Sequence, residues 1–591
     1  MLLNLLLFPI FVLIVSIFGR IIQEIFNLKK NDYVFIDIIY GIFFLCITPL
    51  IFNFFFKLHS LIVFLFYLFV FIFGFKKFII ETLYKIKKNI IWILLLSFLP
   101  SFMSAGYDSG LYHIPFQTWI QNEKIIIGLS NLNLRFGLTS IFSYGSSLMW
   151  FENIFLFVSY FSNCFYLILF LFINEYLSKN YHKLIFGLMF LISFPLWSRY
   201  IFPSHSLIDA KFGILIIILI TTLAVNFKTW IFEKKINKED IFFIGTLFFL
   251  IFTFKSSGIL FSPLLFVIII YLIKIKKLSI LTTPLFFFSF LMLIWSIKSF
   301  LITGCFYYPI SLSCTEVSWF SIENLNYINE QISIYAKSSF KAINFYYVFF
   351  NNLSLLLILI FPLIIYIIVN QLRYIKKVFK KNKLPIFLVT LIIYIFQLIY
   401  LDDLRGFSLL IEQKNILGLK EVIFLEIRNI FIMLSVTFLV PFIFLNHKLN
   451  IKNLLTNNFY LLFFIYILSV LILWFLIAPQ PRFAYGFFPL IVPLLFLSIL
   501  KISNNKTNKL EKKYLKLLTI FIVITFYFKI FDTKVNLIYD LHVLPKITTE
   551  KRSTFGVMPK FQNLCWAEKD CYIFNDKNLV ISSFFEYKLI E

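Results

Sequence analysis

Long runs of apolar residues fill most of the chain, and short polar segments separate them. Such runs can cross the roughly 30 Å hydrocarbon core of a bilayer as α-helices, whereas a membrane β-barrel shows strands of about ten residues with alternating polarity. The pattern therefore predicts an all-α, polytopic helical membrane protein. We expect about sixteen spans, near residues 3–18, 34–56, 60–75, 89–104, 153–173, 184–197, 212–227, 241–254, 259–273, 280–297, 346–369, 384–401, 429–445, 459–477, 487–500 and 514–531.

The composition agrees with this class of protein. Of the 591 residues, 61% are hydrophobic and 14% are charged, whereas a soluble domain has about 45–50% and about 25%. These values exclude a soluble enzyme, a disordered protein and a nucleic-acid-binding domain. The net charge of +25 is best explained by basic residues that orient the chain in the bilayer.

The basic residues are concentrated in alternate loops of the predicted topology. More than half of the 54 lysines and arginines fall on one side, in loops such as 20–33 and 76–88. The positive-inside rule assigns this side to the cytoplasm. We therefore expect both termini and the functional face outside a bacterial cytoplasmic (inner) membrane, with the first span as an anchor rather than a cleaved signal peptide.

The predicted outer side also holds a short tail and two pairs of cysteines. Residues 1–531 form the predicted membrane domain, and residues 532–591 form an extracytoplasmic tail that is small enough to need packing against it. Cys305 with Cys314, and Cys565 with Cys571, lie close together in the sequence. Each pair is either a disulfide, as an oxidising compartment allows, or two free thiols.

The predicted outside loop 105–152 carries the strongest candidate for chemistry. Asp108 follows the fourth span, and aromatic residues at helical spacing from Tyr112 to Trp119 predict an interfacial helix that lies flat on the membrane. A carboxylate there can act as a general base, bind a divalent metal such as Mg²⁺ or Mn²⁺, or cap the helix. His113 either hydrogen-bonds the carboxylate or serves as an interfacial side chain.

As a general base, the carboxylate would take the proton of an acceptor hydroxyl while a sugar leaves a lipid phosphate. The leaving group is an anion, so cations are expected near the carboxylate. The basic candidates on the predicted outer side are Arg135, Arg199, Lys211, Lys255, Lys298, Arg405 and Arg482. Arg482 offers bidentate contact with a phosphate or a general lipid anchor. Asp209 and Lys211 enter a predicted span, where ionisable residues are functional or paired. Lys255 either binds phosphate or snorkels to the membrane surface.

Several patches between residues 100 and 486 resemble the GT-C glycosyltransferases. They are Tyr107–His113 with Gly128–Gly137, Ser198–Arg199 with Pro203 and Asp209, the Gly304–Pro309 stretch, and Pro481–Phe483. The resemblance, which is to enzymes of the dolichyl-phosphate-mannose mannosyltransferase type (glycosyltransferase family 39), implies a polyprenyl-phosphate sugar donor and a catalytic acidic residue at Asp108. The usual GT-C loop follows the first span and often has adjacent Asp and Glu, whereas here it follows the fourth and Ser109 takes the second place.

We therefore expect a membrane glycosyltransferase that moves a hexose or pentose from a polyprenyl-phosphate donor to a glycan or lipid acceptor in surface polysaccharide synthesis. Asp108 and His113 would be catalytic. The expected phosphate or substrate contacts are Arg135, Arg199, Asp209, Lys211, Lys255 and Arg482. Two other functions also fit the pattern: an O-antigen polymerase or ligase, which relies on arginines and a histidine, and a flippase or transporter of lipid-linked glycans. No nucleic-acid partner is expected.

Overall fold

The computed structural model describes most of the first half of the chain. The described residues are 2–29, 31–103, 108–150, 155–179, 208–231, 236–274, 278–337 and 458–477, with four short strands between 549 and 590 and a few single positions. The chain divides into two compact units. The first comprises residues 1–172, 202–332 and 535–591, and the second comprises 173–201 and 333–534.

Four helices open the first unit. They are α1 (Leu2–Ile25), α2 (Val34–Asn53), α3 (Leu61–Lys88) and α4 (Ile90–Leu96). The backbones of α1 and α2 touch at two glycines. A Cβ on Gly19 would lie 1.8 Å from the carbonyl oxygen of Asp37, and one on Gly41 would lie 2.0 Å from that of Val15. Only glycine permits so close an approach.

Short helices follow in the region between α4 and the next long helix. They are a π-helix (Ser109–His113), α5 (Ile114–Asn122), two 3₁₀ turns (Leu129–Asn131 and Leu134–Leu138) and α6 (Ile141–Ser147). Phe116 of α5 and Tyr144 of α6 are fully buried, with ring centroids 5.8 Å apart. We call residues 108–150 the short-helix layer.

Longer helices follow along the chain, and all of their residues except 173–177 belong to the first unit. They are α7 (Leu156–Leu171, continued as a π-helix over Phe172–Leu177), α8 (Ile208–Ile231), α9 (Lys238–Phe254), a 3₁₀ turn (Ser256–Phe261), α10 (Ser262–Lys274) and α11 (Leu278–Thr303). Phenylalanine rings fill the contacts between them. Phe242 and Phe288 lie 5.3 Å apart, and a Cβ on Gly245 would meet the Phe288 ring at 2.4 Å. The abundance of phenylalanine thus serves helix packing.

Helix α11 leads into a loop that contains a 3₁₀ turn (Ser311–Ser313) and then into α12 (Ile322–Lys337). Near the C-terminus, β1 (Thr549–Lys551) pairs antiparallel with β2 (Val557–Pro559), and β3 (Ile581–Phe584) pairs antiparallel with β4 (Tyr587–Ile590). The longest described helix of the second unit is α13 (Asn458–Ile477), which is apolar throughout most of its length.

The helical, membrane-spanning class predicted from the sequence is confirmed. In the described part of the chain, seven helices are long and apolar enough to cross a bilayer: Leu3–Ile25, Val34–Asn53, Leu61–Lys88, Leu156–Leu177, Ile208–Asn226, Ser256–Ile273 and Ile280–Thr303. The predicted span 89–104 is a shorter apolar helix, Ile90–Ser101. Most of the predicted spans 184–197 and 487–500, and all those between 346 and 445, lie outside the described residues. The total of sixteen and the GT-C fold therefore stay predictions.

A buried cluster of charges joins α1, α2 and α3. Asp37 is 1% exposed and accepts hydrogen bonds from Lys85 at 2.9 Å and from Gln23 at 2.7 Å. Arg20 forms an ion pair with Glu81 at 2.8 Å. Each buried charge thus has an opposite charge within reach, which lowers the cost of burial.

The same cluster corrects two predicted loops. The basic segments 20–33 and 76–88 were expected to be loops, but α1 continues to Ile25 and α3 continues to Lys88. The drop in hydropathy does not end these helices, because their charged side chains find partners on neighbouring helices.

Candidate functional site

Asp108 lies at the N-terminal end of the π-helix that leads into α5, and a proline explains the shape of this junction. Pro115 has no N–H to bond the carbonyl of Leu111, four residues earlier, so the regular α-helical ladder is interrupted there. The side-chain amide of Asn133 donates to the Leu111 carbonyl at 3.2 Å instead. The wide π-turn before α5 is therefore stabilised from outside the helix.

The Asp108 carboxylate is half-buried and makes no capping hydrogen bond to the helix. Helix capping was one of the roles that the sequence allowed for Asp108, and the structure does not show it. His113 is 5% exposed, and its ring lies 4.1 Å from that of Tyr112. Residues 114–121 are all buried. The predicted helix exists, and neighbouring elements cover both of its faces; its position at the membrane surface stays a prediction.

Asn133 also connects the Asp108 helix to Arg135. Its side-chain oxygen accepts a hydrogen bond from the backbone N–H of Arg135 at 3.0 Å, while its amide holds Leu111. Arg135 is half-buried in the following 3₁₀ turn. One side chain therefore joins the segments that carry the predicted acid and one predicted cation. Sequence analysis did not single out Asn133, although a proline four residues after Leu111 signals a carbonyl in need of another donor.

Lys298 of α11 is a buried cation beneath this layer. Lys298 is only 1% exposed, and its Nζ donates a hydrogen bond to the Thr139 hydroxyl at 3.2 Å. The rings of Trp295, Phe116 and Tyr144 surround the ammonium group at 4.3, 5.5 and 5.5 Å. Among the described residues, no carboxylate forms an ion pair with it.

Lys211 of α8 is the second buried cation against the short-helix layer. It is 1% exposed, and its Nζ lies 4.6 Å from the centre of the Phe142 ring on α6. Asp209, one of the predicted substrate contacts, forms an ion pair with Lys255 and also interacts electrostatically with Lys211. The structure thus gives Lys255 a carboxylate partner that the sequence did not predict, and phosphate binding and snorkelling by Lys255 stay predictions.

The buried lysines against the short-helix layer differ in their described partners. Asp209 is shared by Lys211 and Lys255, whereas Lys298 contacts aromatic rings and one hydroxyl and pairs with no carboxylate of the described residues. Each cation–π contact contributes about 0.5–2 kcal/mol, while burying the charge costs several kcal/mol. The arrangement therefore suits the approach of an anionic group.

The disulfide loop packs against the turn that carries Arg135. Cys305 and Cys314 are joined by a disulfide bond. The Tyr308 hydroxyl donates to the Leu134 carbonyl at 3.2 Å. Burial raises the pKa of Tyr308, so its hydroxyl stays protonated as a hydrogen-bond donor.

Several predicted residues lie outside the described part of the chain. They are Arg199, Arg405, Arg482, Cys565 and Cys571. The described residues contain no group of three or more His, Cys, Asp or Glu side chains that could hold a metal ion.

The fold defines a multi-pass integral membrane protein that associates with the lipid bilayer. Residues 1–405 match a family described as a domain of unknown function, DUF8201, and the chain belongs to this family. The matched residues include the whole short-helix layer, Lys211 and Lys298. Neither a curated protein nor a solved structure matches the chain. No glycosyltransferase family is identified, and the GT-C resemblance stays a prediction.

Proposed function

We propose that this protein is a membrane glycosyltransferase. It transfers a sugar from a polyprenyl-phosphate donor to a glycan or lipid acceptor at the outer face of a bacterial cytoplasmic membrane. The observation that carries the proposal is the buried ammonium of Lys298, which has no carboxylate partner among the described residues and lies under the layer that holds Asp108 and Arg135. A phosphate is the kind of anion whose negative charge such a cation would offset.

In this mechanism Asp108 acts as the general base. The carboxylate takes the proton of the acceptor hydroxyl as the hydroxyl oxygen bonds to the anomeric carbon of the sugar. The bond between that carbon and the phosphate oxygen breaks at the same time, and polyprenyl phosphate leaves with the bonding electron pair. Cations near the leaving group then stabilise its developing charge, a role that falls to Lys298 and Arg135.

The decisive variant is Asp108→Asn, which keeps the size of the side chain and removes its basicity. Purified protein in detergent would be given radiolabelled polyprenyl-phosphate hexoses and pentoses, with the host's extracted glycans and lipids as acceptors. We expect transfer to fall by about 10²-fold to 10⁴-fold, the usual contribution of a general base. Glu323→Gln is the matched control, because Glu323 is an exposed carboxylate in the first turn of α12. It should leave transfer unchanged.

Three outcomes would contradict the proposal. Full transfer by Asp108→Asn removes the assigned base. Loss of activity in Arg199→Ala, with Asp108→Asn still active, favours the O-antigen polymerase or ligase alternative. Transport of lipid-linked glycan in vesicles without any transfer in detergent favours a flippase, since detergent abolishes the two sides of the membrane.

A further inference from the structure

The last strand of the chain is hydrogen-bonded to the backbone of the short-helix layer. The Ile127 N–H donates to the Lys588 carbonyl at 2.9 Å, and the Ile590 N–H donates to the Ile127 carbonyl at 3.0 Å. Bonds from one residue to partners two positions apart are the pattern of parallel strand pairing. Strand β4 therefore uses one edge for β3 and its other edge for Ile127.

Side chains on both sides fit the strand to this place. The Tyr587 hydroxyl donates to the Phe54 carbonyl at 2.8 Å, and Lys588 forms an ion pair with Glu123 at 2.9 Å. The side-chain amide of Asn131 donates to the Ile590 carbonyl at 2.9 Å. The strand thus contacts Phe54, Glu123 and Asn131 through three different residues, and a shifted register would break these contacts.

A glycine in the receiving segment makes room for the strand. Gly128 has a φ of +71°, which other residues rarely adopt, and a Cβ there would lie 2.2 Å from the Ile590 carbonyl oxygen. Asn131, three residues later, donates to the Trp319 carbonyl at 3.0 Å as well as to Ile590. The segment is thus shaped around an extended peptide and connects it to Trp319, which follows the disulfide loop.

The family match covers the residues that receive the strand but not the strand itself. Phe54, Glu123, Ile127, Gly128 and Asn131 all lie within the matched residues 1–405, whereas β4 lies beyond them. The surface that accepts the strand therefore belongs to the family domain, and its occupant comes from the segment that follows the domain.

We propose that the backbone of Ile127, with Gly128 and Asn131, is a strand-accepting site whose occupant is the C-terminal strand Tyr587–Ile590 of the same chain. Docking of the strand orders the turn that leads to Arg135. The site takes a short extended peptide by β-strand addition, with main-chain bonds for affinity and the Tyr587 and Lys588 contacts for specificity. This inference does not depend on the proposed glycosyl transfer.

The test uses Ile590→Pro in the full-length protein in lipid nanodiscs, with amide hydrogen exchange as the readout. Proline removes the N–H that bonds the Ile127 carbonyl and leaves the Lys588 carbonyl, the acceptor of the Ile127 N–H, in place. If the strand docks as a unit, exchange at the Ile127 amide rises by at least about tenfold, because both bonds are lost together. Ile590→Val keeps the N–H and should leave exchange at the wild-type rate.

Amides within α5 serve as the folding control and should not change in either variant. A second measurement cross-links Cys residues introduced by Glu123→Cys and Lys588→Cys in native membranes with a short bifunctional thiol reagent. We expect efficient cross-linking, because the main-chain bonds and the Tyr587 contact remain without the ion pair, and we expect it to disappear when Ile590→Pro is added. Unchanged exchange at Ile127 in Ile590→Pro, or no cross-link between positions 123 and 588, would overturn the proposal.

Discussion

Replacing Lys298 with methionine tests whether its ammonium group is there for a ligand or for the fold. Methionine has a similar length and no charge. In the wild-type protein each ring contact contributes about 0.5–2 kcal/mol, and a hydrogen bond from a charged donor contributes about 1.5–3 kcal/mol. The desolvation penalty of several kcal/mol for the buried ion is of the same size. We therefore expect Lys298→Met to change the free energy of unfolding by less than about 1.5 kcal/mol.

The chain offers a matched control in Lys85→Met. Lys85 is also a buried lysine, but it is paired with Asp37 at 2.9 Å. Its removal leaves a carboxylate that is 1% exposed without its nearest cation, and loss of one partner of a buried pair costs about 3–5 kcal/mol. The same substitution should thus be nearly neutral at position 298 and strongly destabilising at position 85.

The assay is thermal unfolding of purified protein in detergent, with and without polyprenyl phosphate. A ligand at a hundred times its Kd stabilises the folded state by about 2.7 kcal/mol. We expect this stabilisation in the wild-type protein and in Lys298→Arg, and its loss in Lys298→Met. The reasoning is refuted if Lys298→Met is as unstable as Lys85→Met, or if polyprenyl phosphate stabilises Lys298→Met as it does the wild type.

Two further predictions concern loops at the ends of the long helices. Cys314→Ser opens a disulfide with a sequence separation of nine and should lower the free energy of unfolding by about 2–3 kcal/mol. Reduction of the wild-type protein should lower its melting temperature as much as this substitution does. A smaller effect of reduction would contradict this account. Burial lowers the pKa of His59 below 6.5, so the unfolded chain binds the proton more readily, and stability should fall as the pH drops through and below about 6.5. His59→Gln should reduce this dependence in melting curves measured across the pH range, and an unchanged pH profile would show that other groups cause it.

The sequence predicted the helices well because their signal is local. A long apolar run is sufficient to indicate a membrane helix, and most of the predicted spans before residue 300 coincide with described helices. The ends were less certain, because Arg20 and Lys85 remain helical through partners on other helices. Asp37 was the available signal, since a carboxylate inside an apolar span requires a partner.

The candidate site was predicted only in part, because its contacts join residues that are far apart in the sequence. The aromatic spacing after Asp108 indicated a helix correctly, but not that other elements would cover both of its faces. Lys298 appeared in the sequence as one basic residue among several. Its surroundings come from Phe116 and Tyr144, which are far away along the chain, and such contacts have no local pattern.

The close contact of α1 and α2 has a consequence for how the protein enters the membrane. An arginine or aspartate at the centre of an inserting helix costs about 2.5–3.5 kcal/mol, and Arg20 and Asp37 lie nearer the ends of α1 and α2, where the cost is smaller. Because Gly19 and Gly41 let the two backbones touch, α1 and α2 can leave the translocon as a closed hairpin with Arg20 and Asp37 facing inward. Their countercharges, Glu81 and Lys85, arrive only with α3. We therefore expect the buried charges of the first two helices to find their partners only once α3 has been inserted.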